Sequence, residues 1–112
     1  MSKRIERVNE LIREQLSLLI HNEFAEELGI IVVNSVEAER DLKTADVYIS
    51  GISNDKSELI TKKLQSKAHE FQHYLGKKLD LRFVPKLTFI YDKYQGNIDK
   101  IEELLTNISK EE

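Results

Sequence analysis

The sequence predicts an α+β fold in which helices cover one face of a three-stranded sheet. Three segments space apolar residues as helices do, and three others look like strands, in the order α-β-β-α-(α)-β-α. With 112 residues, 40% of them hydrophobic and 33% charged, the chain can bury one core and differs from a disordered polymer. We therefore expect a single domain over residues 1–112.

The first helix is predicted from Ser2 to about Glu27. Ser2 suits an N-cap, because its hydroxyl can accept a hydrogen bond from a free backbone N–H, and Gly29 suits the stop. The apolar residues of this segment recur at steps of three to five: Ile5, Val8, Ile12, Leu16, Leu19 and Phe24.

Two strands are predicted next, at residues 30–36 and 45–52. The first is rich in β-branched residues, and the second alternates apolar with polar side chains. The connection 37–44 suits an antiparallel pair. Residues 53–55, Ser-Asn-Asp, supply turn and capping chemistry before the next helix.

The segment from about Lys56 to Leu79 has the most regular helical spacing in the chain, and it predicts one or two helices. Gly76 lies close to its end, where it can loosen the last turn. The apolar positions follow steps of four, four, three, four and four: Ile60, Leu64, Ala68, Phe71, Leu75 and Leu79.

A third strand is predicted over residues 82–91. Phe83, Phe89 and Tyr91 alternate along it, and this spacing favours one core-facing row over a base-stacking surface. Residues 109–112 should form a frayed tail. A short C-terminal helix is predicted before that tail, with the apolar residues Ile98, Ile101, Leu104, Leu105 and Ile108.

Composition excludes several classes of protein. No cysteine is present, so disulfides, thiolate metal sites and cysteine nucleophiles are excluded. The N-terminus lacks the apolar run of a signal peptide, and no apolar stretch approaches the roughly 20 residues of a membrane span. We expect a soluble, cytoplasmic protein.

The net charge of −3 conceals an asymmetry along the chain. Between Lys56 and Lys86 there are 8 basic and 3 acidic residues, which gives +5 and leaves −8 for the rest. An acidic body with one basic segment can bind phosphate in a defined orientation. The alternative is a solvated helix whose lysines only keep the protein soluble.

Two groups of residues resemble a known family. The run Arg40-Asp41-Leu42, followed by residues 45–50, Ala-Asp-Val-Tyr-Ile-Ser, resembles the characteristic strand of ribosome-binding factor A. The segment from Leu75-Gly76-Lys77 through Val84-Pro85 to Tyr91-Asp92 resembles that family's signature up to its last strand. The resemblance implies a type II KH-like domain, α-β-β-α-α-β, with helices on one face of a three-stranded mixed sheet and a short C-terminal helix.

The resemblance also implies a function. It implies a monomer that binds 16S rRNA within the free small (30S) ribosomal subunit and assists late maturation and processing of that rRNA, with no enzymatic activity and no cofactor. The family has a helix-kink-helix with an Ala-x-Gly element, whose positions here hold Lys67-Ala68-His69. Since His69 cannot relieve backbone strain as glycine does, we expect a shallower or shifted kink.

The candidate RNA-binding residues are cationic side chains and one histidine. Phosphate contacts would supply the affinity, and shape rather than base reading most of the selectivity. A further contact is assigned to the N-terminal residues Lys3, Arg4 and Arg7. The main set surrounds the predicted kink and the end of its second helix: Lys62, Lys63, Lys67, His69, Lys77, Lys78 and Arg82.

Residues 69–73 satisfy the pattern H-E-x-x-H, in which two imidazoles one helical turn apart can share zinc while the glutamate activates water. On a continuous helix, however, His69 and His73 lie opposite the buried face. A third zinc ligand is not evident, and nearby lysines oppose the binding of a metal cation. We predict surface histidines and no metal. A zinc peptidase therefore remains the lesser alternative, after a protein-protein adaptor that binds no RNA.

Overall fold

Residues 3–51 and 57–92 are described by this computed structural model, and they form three helices and three strands. The α+β class and the order α-β-β-α-α-β are confirmed. Four predicted features lie outside the described residues: the N-cap Ser2, the turn at 53–55, the C-terminal helix and the tail at 109–112. The elements are α1 Lys3–Leu28, β1 Ile31–Ala38, β2 Thr44–Gly51, α2 Ser57–Ser66, α3 Ala68–Lys78 and β3 Lys86–Tyr91.

Helix α1 lies along β1 and buries one apolar face against the sheet. Gly29 ends the helix as predicted, with φ of 81° and its N–H donating to the Ala25 carbonyl at 3.0 Å. Glycine adopts this left-handed conformation without the steric cost that a Cβ brings. The buried side chains recur every four residues: Ile12, Leu16, Ile20, Phe24 and Leu28.

The strands form one mixed sheet in the order β1-β2-β3. β1 and β2 are antiparallel, with Val36 opposite Val47 and a register shift between Val33 and Ser35 that marks a bulge. β2 and β3 are parallel, with Val47 opposite Phe89. Because a tight turn cannot join parallel strands, α2 and α3 form the crossover, and all three helices pack on the same buried face.

The helical segment between β2 and β3 breaks at Lys67, one of the three predicted kink positions. Lys67 has φ of −103° and ψ of 3°, and its N–H donates to the Leu64 carbonyl at 3.0 Å in a tighter three-residue turn. The next helix then begins, since Phe71 N–H donates to the Lys67 carbonyl at 2.9 Å. This backbone region is open to any L-residue, so the kink forms without glycine.

Helix α3 ends in a Schellman turn around Asp80, whose φ is 53°. Leu79 N–H donates to the Leu75 carbonyl at 2.9 Å, and Leu81 N–H reaches back to the Gly76 carbonyl at 3.2 Å. Gly76 also admits the following segment closely, because a Cβ there would lie 3.3 Å from a Val84 methyl. The described role of Gly76 is therefore to permit close packing within an intact helix.

Strand β3 begins at Lys86, four residues later than predicted. The prediction of a core-facing row is confirmed for Phe89, which is buried, and for Tyr91, which packs against the core. It is wrong for Phe83, whose exposure is 76%. The alternation extends back to Pro85, which is fully buried, and fails at Phe83, which precedes the residues that pair with β2. Val84, between the two, has its carbonyl bound by the Gln72 side-chain amide at 2.8 Å.

The outer edge of β3 is closed by a side chain of α2. Gln65 Nε2 donates to the Leu87 carbonyl at 3.0 Å, and Gln65 Oε1 accepts from Phe89 N–H at 2.8 Å. One amide group thereby makes the donor and acceptor contacts that a further strand would make. An open edge is a template for pairing with another chain, so Gln65 protects this one.

We expect Gln65→Met to lower the free energy of unfolding by about 1–2 kcal/mol, because it removes two hydrogen bonds at nearly constant volume. The Phe89 amide should also exchange hydrogen faster. Gln72→Met is the matched control: it removes one bond outside the strand and should leave Phe89 exchange unchanged. Unchanged Phe89 protection in Gln65→Met would contradict the role given to this side chain.

We expect Asp80→Gly to raise the free energy of unfolding by about 0.5–1 kcal/mol, because glycine adopts the left-handed conformation without steric cost. Urea denaturation measures the change. Asp80→Ala is the control, since it removes the same charge and keeps the backbone strain. Equal stabilisation by both variants would assign the effect to charge instead.

Candidate nucleic-acid interface

The lysines of α2 and the kink point in different directions. Lys62 is exposed beside Phe89 and Tyr91, on the side of α2 that meets the outer edge of β3. Lys63 points toward the end of α1, where its Nζ lies 3.4 Å from Glu27 Oε2. Lys63 is therefore partly neutralised by its own protein, whereas Lys62 faces solvent.

Lys67 is also ion-paired, with its Nζ 3.5 Å from Glu70 Oε2. Both of these ion pairs are solvent-exposed, and pairs of this kind contribute little to stability. A phosphate can therefore replace either carboxylate at small cost. The α2 lysines remain available for RNA, although their charge is partly balanced.

A second concentration of positive charge lies where the α3–β3 connection meets the β1–β2 turn. Lys86 N–H donates to the Lys43 carbonyl at 2.9 Å, and Asp41 Oδ1 fixes that turn by accepting from Lys43 N–H at 3.0 Å. Lys77 and Lys78 follow Gly76 at the end of α3, where cations also complement the helix dipole. We call five exposed cations here the basic end: Lys43, Lys77, Lys78, Arg82 and Lys86.

The N-terminal cations lie toward the basic end and away from Lys63. α1 runs antiparallel to β1, and Asn9 Oδ1 accepts from the N–H of Ala38, the last residue of β1, at 3.0 Å. The exposed residues Lys3, Arg4 and Arg7 therefore extend past that end of the sheet. Along the helix axis, Lys3 is on the order of 36 Å from Glu27, the partner of Lys63.

The predicted RNA-binding residues thus do not form one patch. Lys62, Lys63, Lys67 and His69 lie on α2, at the kink and in the first turn of α3, whereas Lys77, Lys78 and Arg82 belong to the basic end. Sequence reasoning left Lys43 out of this set because nothing local marks it: its position beside Lys86 depends on the register of β2 with β3. Lys86 was counted in the basic segment from Lys56 to Lys86, but no sequence motif marked it as a binding residue.

The two histidines of the H-E-x-x-H pattern are exposed on α3, and their ring centroids lie 5.4 Å apart. Their exposed position is confirmed. Glu70 between them contacts Lys67 rather than either imidazole. Within residues 3–51 and 57–92, no group of three or more possible ligands could hold a metal ion.

The sheet face opposite the helices carries acidic side chains. Glu37 and Asp46 lie directly opposite each other on β1 and β2, and like charges in such a pair destabilise it. Beside them, partial burial raises the pKa of the Tyr48 hydroxyl, and the carboxylates of Glu37, Asp46 and Asp92 raise it further. This acidic face repels phosphate, so an RNA would be bound in one orientation.

None of the described helices has the length and hydropathy to cross a membrane.

Solved structures share this fold. The crystal structure of ribosome-binding factor A from Thermus thermophilus has a TM-score of 0.69 at 17% identity and covers 78% of this chain and 94% of that one. A Thermus thermophilus homology model fitted into a cryo-electron-microscopy map of a 30S–ribosome-binding factor A complex has a TM-score of 0.64 at 17% identity, covering 73% and 88%. These likenesses fit the KH-like description of the fold.

Sequence comparison extends the likeness to nearly the whole chain. Ribosome-binding factor A of Vesicomyosocius okutanii is 36% identical over 108 residues, which cover 96% of this chain and 94% of the relative. The family model for ribosome-binding factor A matches residues 4–105. The chain therefore belongs to the ribosome-binding factor A family.

Proposed function

We propose that this protein binds the free 30S subunit as a cytoplasmic monomer and assists late maturation and processing of 16S rRNA, without catalysing a reaction. The observation that supports this most is the family match over residues 4–105. A Thermus thermophilus member of the family has been fitted into a map of a 30S complex.

The charges support binding through the RNA backbone. The basic end offers five exposed cations within one part of the molecule, and the α2 lysines offer a further contact. Glu37 and Asp46 make the opposite sheet face unfavourable for phosphate. Contacts of this kind fix orientation and register on folded RNA, while the shape of the rRNA supplies selectivity.

A second candidate function is a protein adaptor that binds no RNA. The acidic face favours it, because Glu37 and Asp46 form a ready contact for a basic protein segment. Salt separates the two candidates, since release of condensed counterions makes RNA binding steeply salt-dependent.

We expect the protein to cosediment with free 30S subunits far more than with whole ribosomes, and its affinity to fall steeply with salt. If about six phosphates are contacted, the loss between about 50 and 200 mM salt should be on the order of a thousandfold. Binding that does not change with salt would exclude the electrostatic mechanism. A complete lack of 30S association would exclude the proposed function.

We also expect neutralising substitutions in either cationic group to weaken 30S binding by about tenfold and to reduce the salt slope by about two to three. Glutamine is preferred to glutamate, because a carboxylate at position 63 would lie beside Glu27 and destabilise the fold. The two triple variants change Lys62, Lys63 and Lys67, or Lys77, Lys78 and Arg82.

Two matched variants complete this series. Glutamine at Lys3, Arg4 and Arg7 should weaken binding less than either triple variant, if these residues make a peripheral contact. Glu37→Gln with Asp46→Asn should not weaken binding, because it changes the acidic face alone. If the variant of Lys62, Lys63 and Lys67 folds and binds 30S subunits like the parent, the proposed RNA contact at α2 and the kink is excluded.

A further inference from the structure

Phe83 is the most exposed of the large hydrophobic side chains among the described residues, at 76%, ahead of Leu18 at 58%. Single exposed apolar residues are common on protein surfaces and need no explanation by themselves. Two further observations distinguish Phe83: hydrogen bonds hold the backbone on both sides of it, and the Arg82 guanidinium lies over its ring.

The backbone anchors lie immediately before and after the exposed pair Arg82 and Phe83. On one side, Leu81 N–H is bonded to the Gly76 carbonyl at 3.2 Å. On the other side, the Val84 carbonyl accepts from Gln72 Nε2 at 2.8 Å, and Pro85 is fully buried. Because this segment is already ordered, a ligand that contacts Phe83 loses little additional backbone entropy on binding.

Cations predominate in the chain around Phe83, since residues 77–86 hold four cations and one acidic residue, Asp80. The Arg82 guanidinium carbon lies 5.9 Å from the Phe83 ring centroid, and Lys86 begins β3 three residues later. Lys77 and Lys78 at the end of α3 belong to the same basic end. An apolar pocket of a protein partner would have to bury these charges with the ring, whereas RNA supplies a flat apolar base and phosphates together.

We propose that Phe83 is a stacking platform for one unpaired nucleobase of RNA, with the flanking phosphates held by Arg82 and Lys86. This inference rests on the proposed function and deepens it, by naming a contact to a base that phosphate contacts alone do not provide. Stacking on an aromatic ring accepts any base, because every base has a π-face. The platform therefore selects a splayed-out base over a paired one, and not one sequence over another.

Stacking and phosphate contacts differ in their response to salt, and this difference makes the proposal testable. We expect Phe83→Leu to weaken 30S binding by about tenfold, since stacking on one base commonly contributes that much. The salt slope should stay at the parent value, because no cation is removed. Phe83→Tyr retains an aromatic face and should bind like the parent.

The matched control is Leu18→Ala, which changes another exposed apolar residue, on α1, and should leave 30S binding unchanged. The thermal midpoint of each variant checks that the fold is retained. Equal 30S affinity of Phe83→Leu and the parent overturns the proposal. A loss that Phe83→Tyr does not restore overturns it as well.

A fluorescence measurement separates a failure of stacking from a failure of the proposed function. The chain has no tryptophan, so Phe83→Trp and Leu18→Trp each introduce a single reporter. A single-stranded RNA oligomer should quench the reporter at position 83 and not the one at 18, and an RNA duplex should quench neither. If the parent fails to bind 30S subunits, the proposed function fails, and this quenching alone then decides the stacking proposal. Loss of 30S binding in Phe83→Leu without quenching indicates a protein pocket and overturns it.

Discussion

Phe71 places the crossover helices on the sheet. Its ring meets Phe24 of α1 edge-on at 6.2 Å between centroids and Phe89 of β3 at 5.8 Å, so three elements share one aromatic contact. Edge-to-face pairs of this kind add specific geometry to the area they bury. With α3 fixed in this way, its last turn comes to the entry of β3, and Lys77, Lys78 and Arg82 reach the end of the sheet. The positions of the cations thus depend on an apolar contact.

The elements whose faces are set locally could be predicted from the sequence. The four-residue steps of α1 and the alternation in β2 both follow from burial of one face, and Gly29 marks the end of the first helix. Phe83 could not be placed in this way, because it shares odd-numbered positions with Phe89 and Tyr91. The pairing with β2 that orients Phe89 and Tyr91 begins only at Lys86, opposite Thr44 in a distant part of the sequence. Patterns of adjacent residues do not contain that information.

The candidate site shows the same division between local and distant information. Charge counting found the basic segment, but it could not show that Lys63 approaches Glu27 of α1 or that Lys43 lies beside Lys86. The first contact depends on the packing of α2 near the end of α1, and the second on the parallel register of β2 with β3. The kink was also hard to predict, since the expected glycine is missing. Lys67 adopts a conformation that needs no glycine, and the hydrogen bond to Leu64 stabilises it.

The double contact of Gln65 has a consequence for the order in which the chain folds. α1 and the β1–β2 hairpin involve neighbouring segments, whereas β3 must pair with β2 across the whole crossover, and such distant pairings form slowly. β3 is bordered by β2 on one edge and by the Gln65 amide on the other. During synthesis, β2 and Gln65 both leave the ribosome before β3, which later pairs between them. The earlier part of the chain therefore acts as a template, and it fixes the register of β3 from two sides at once.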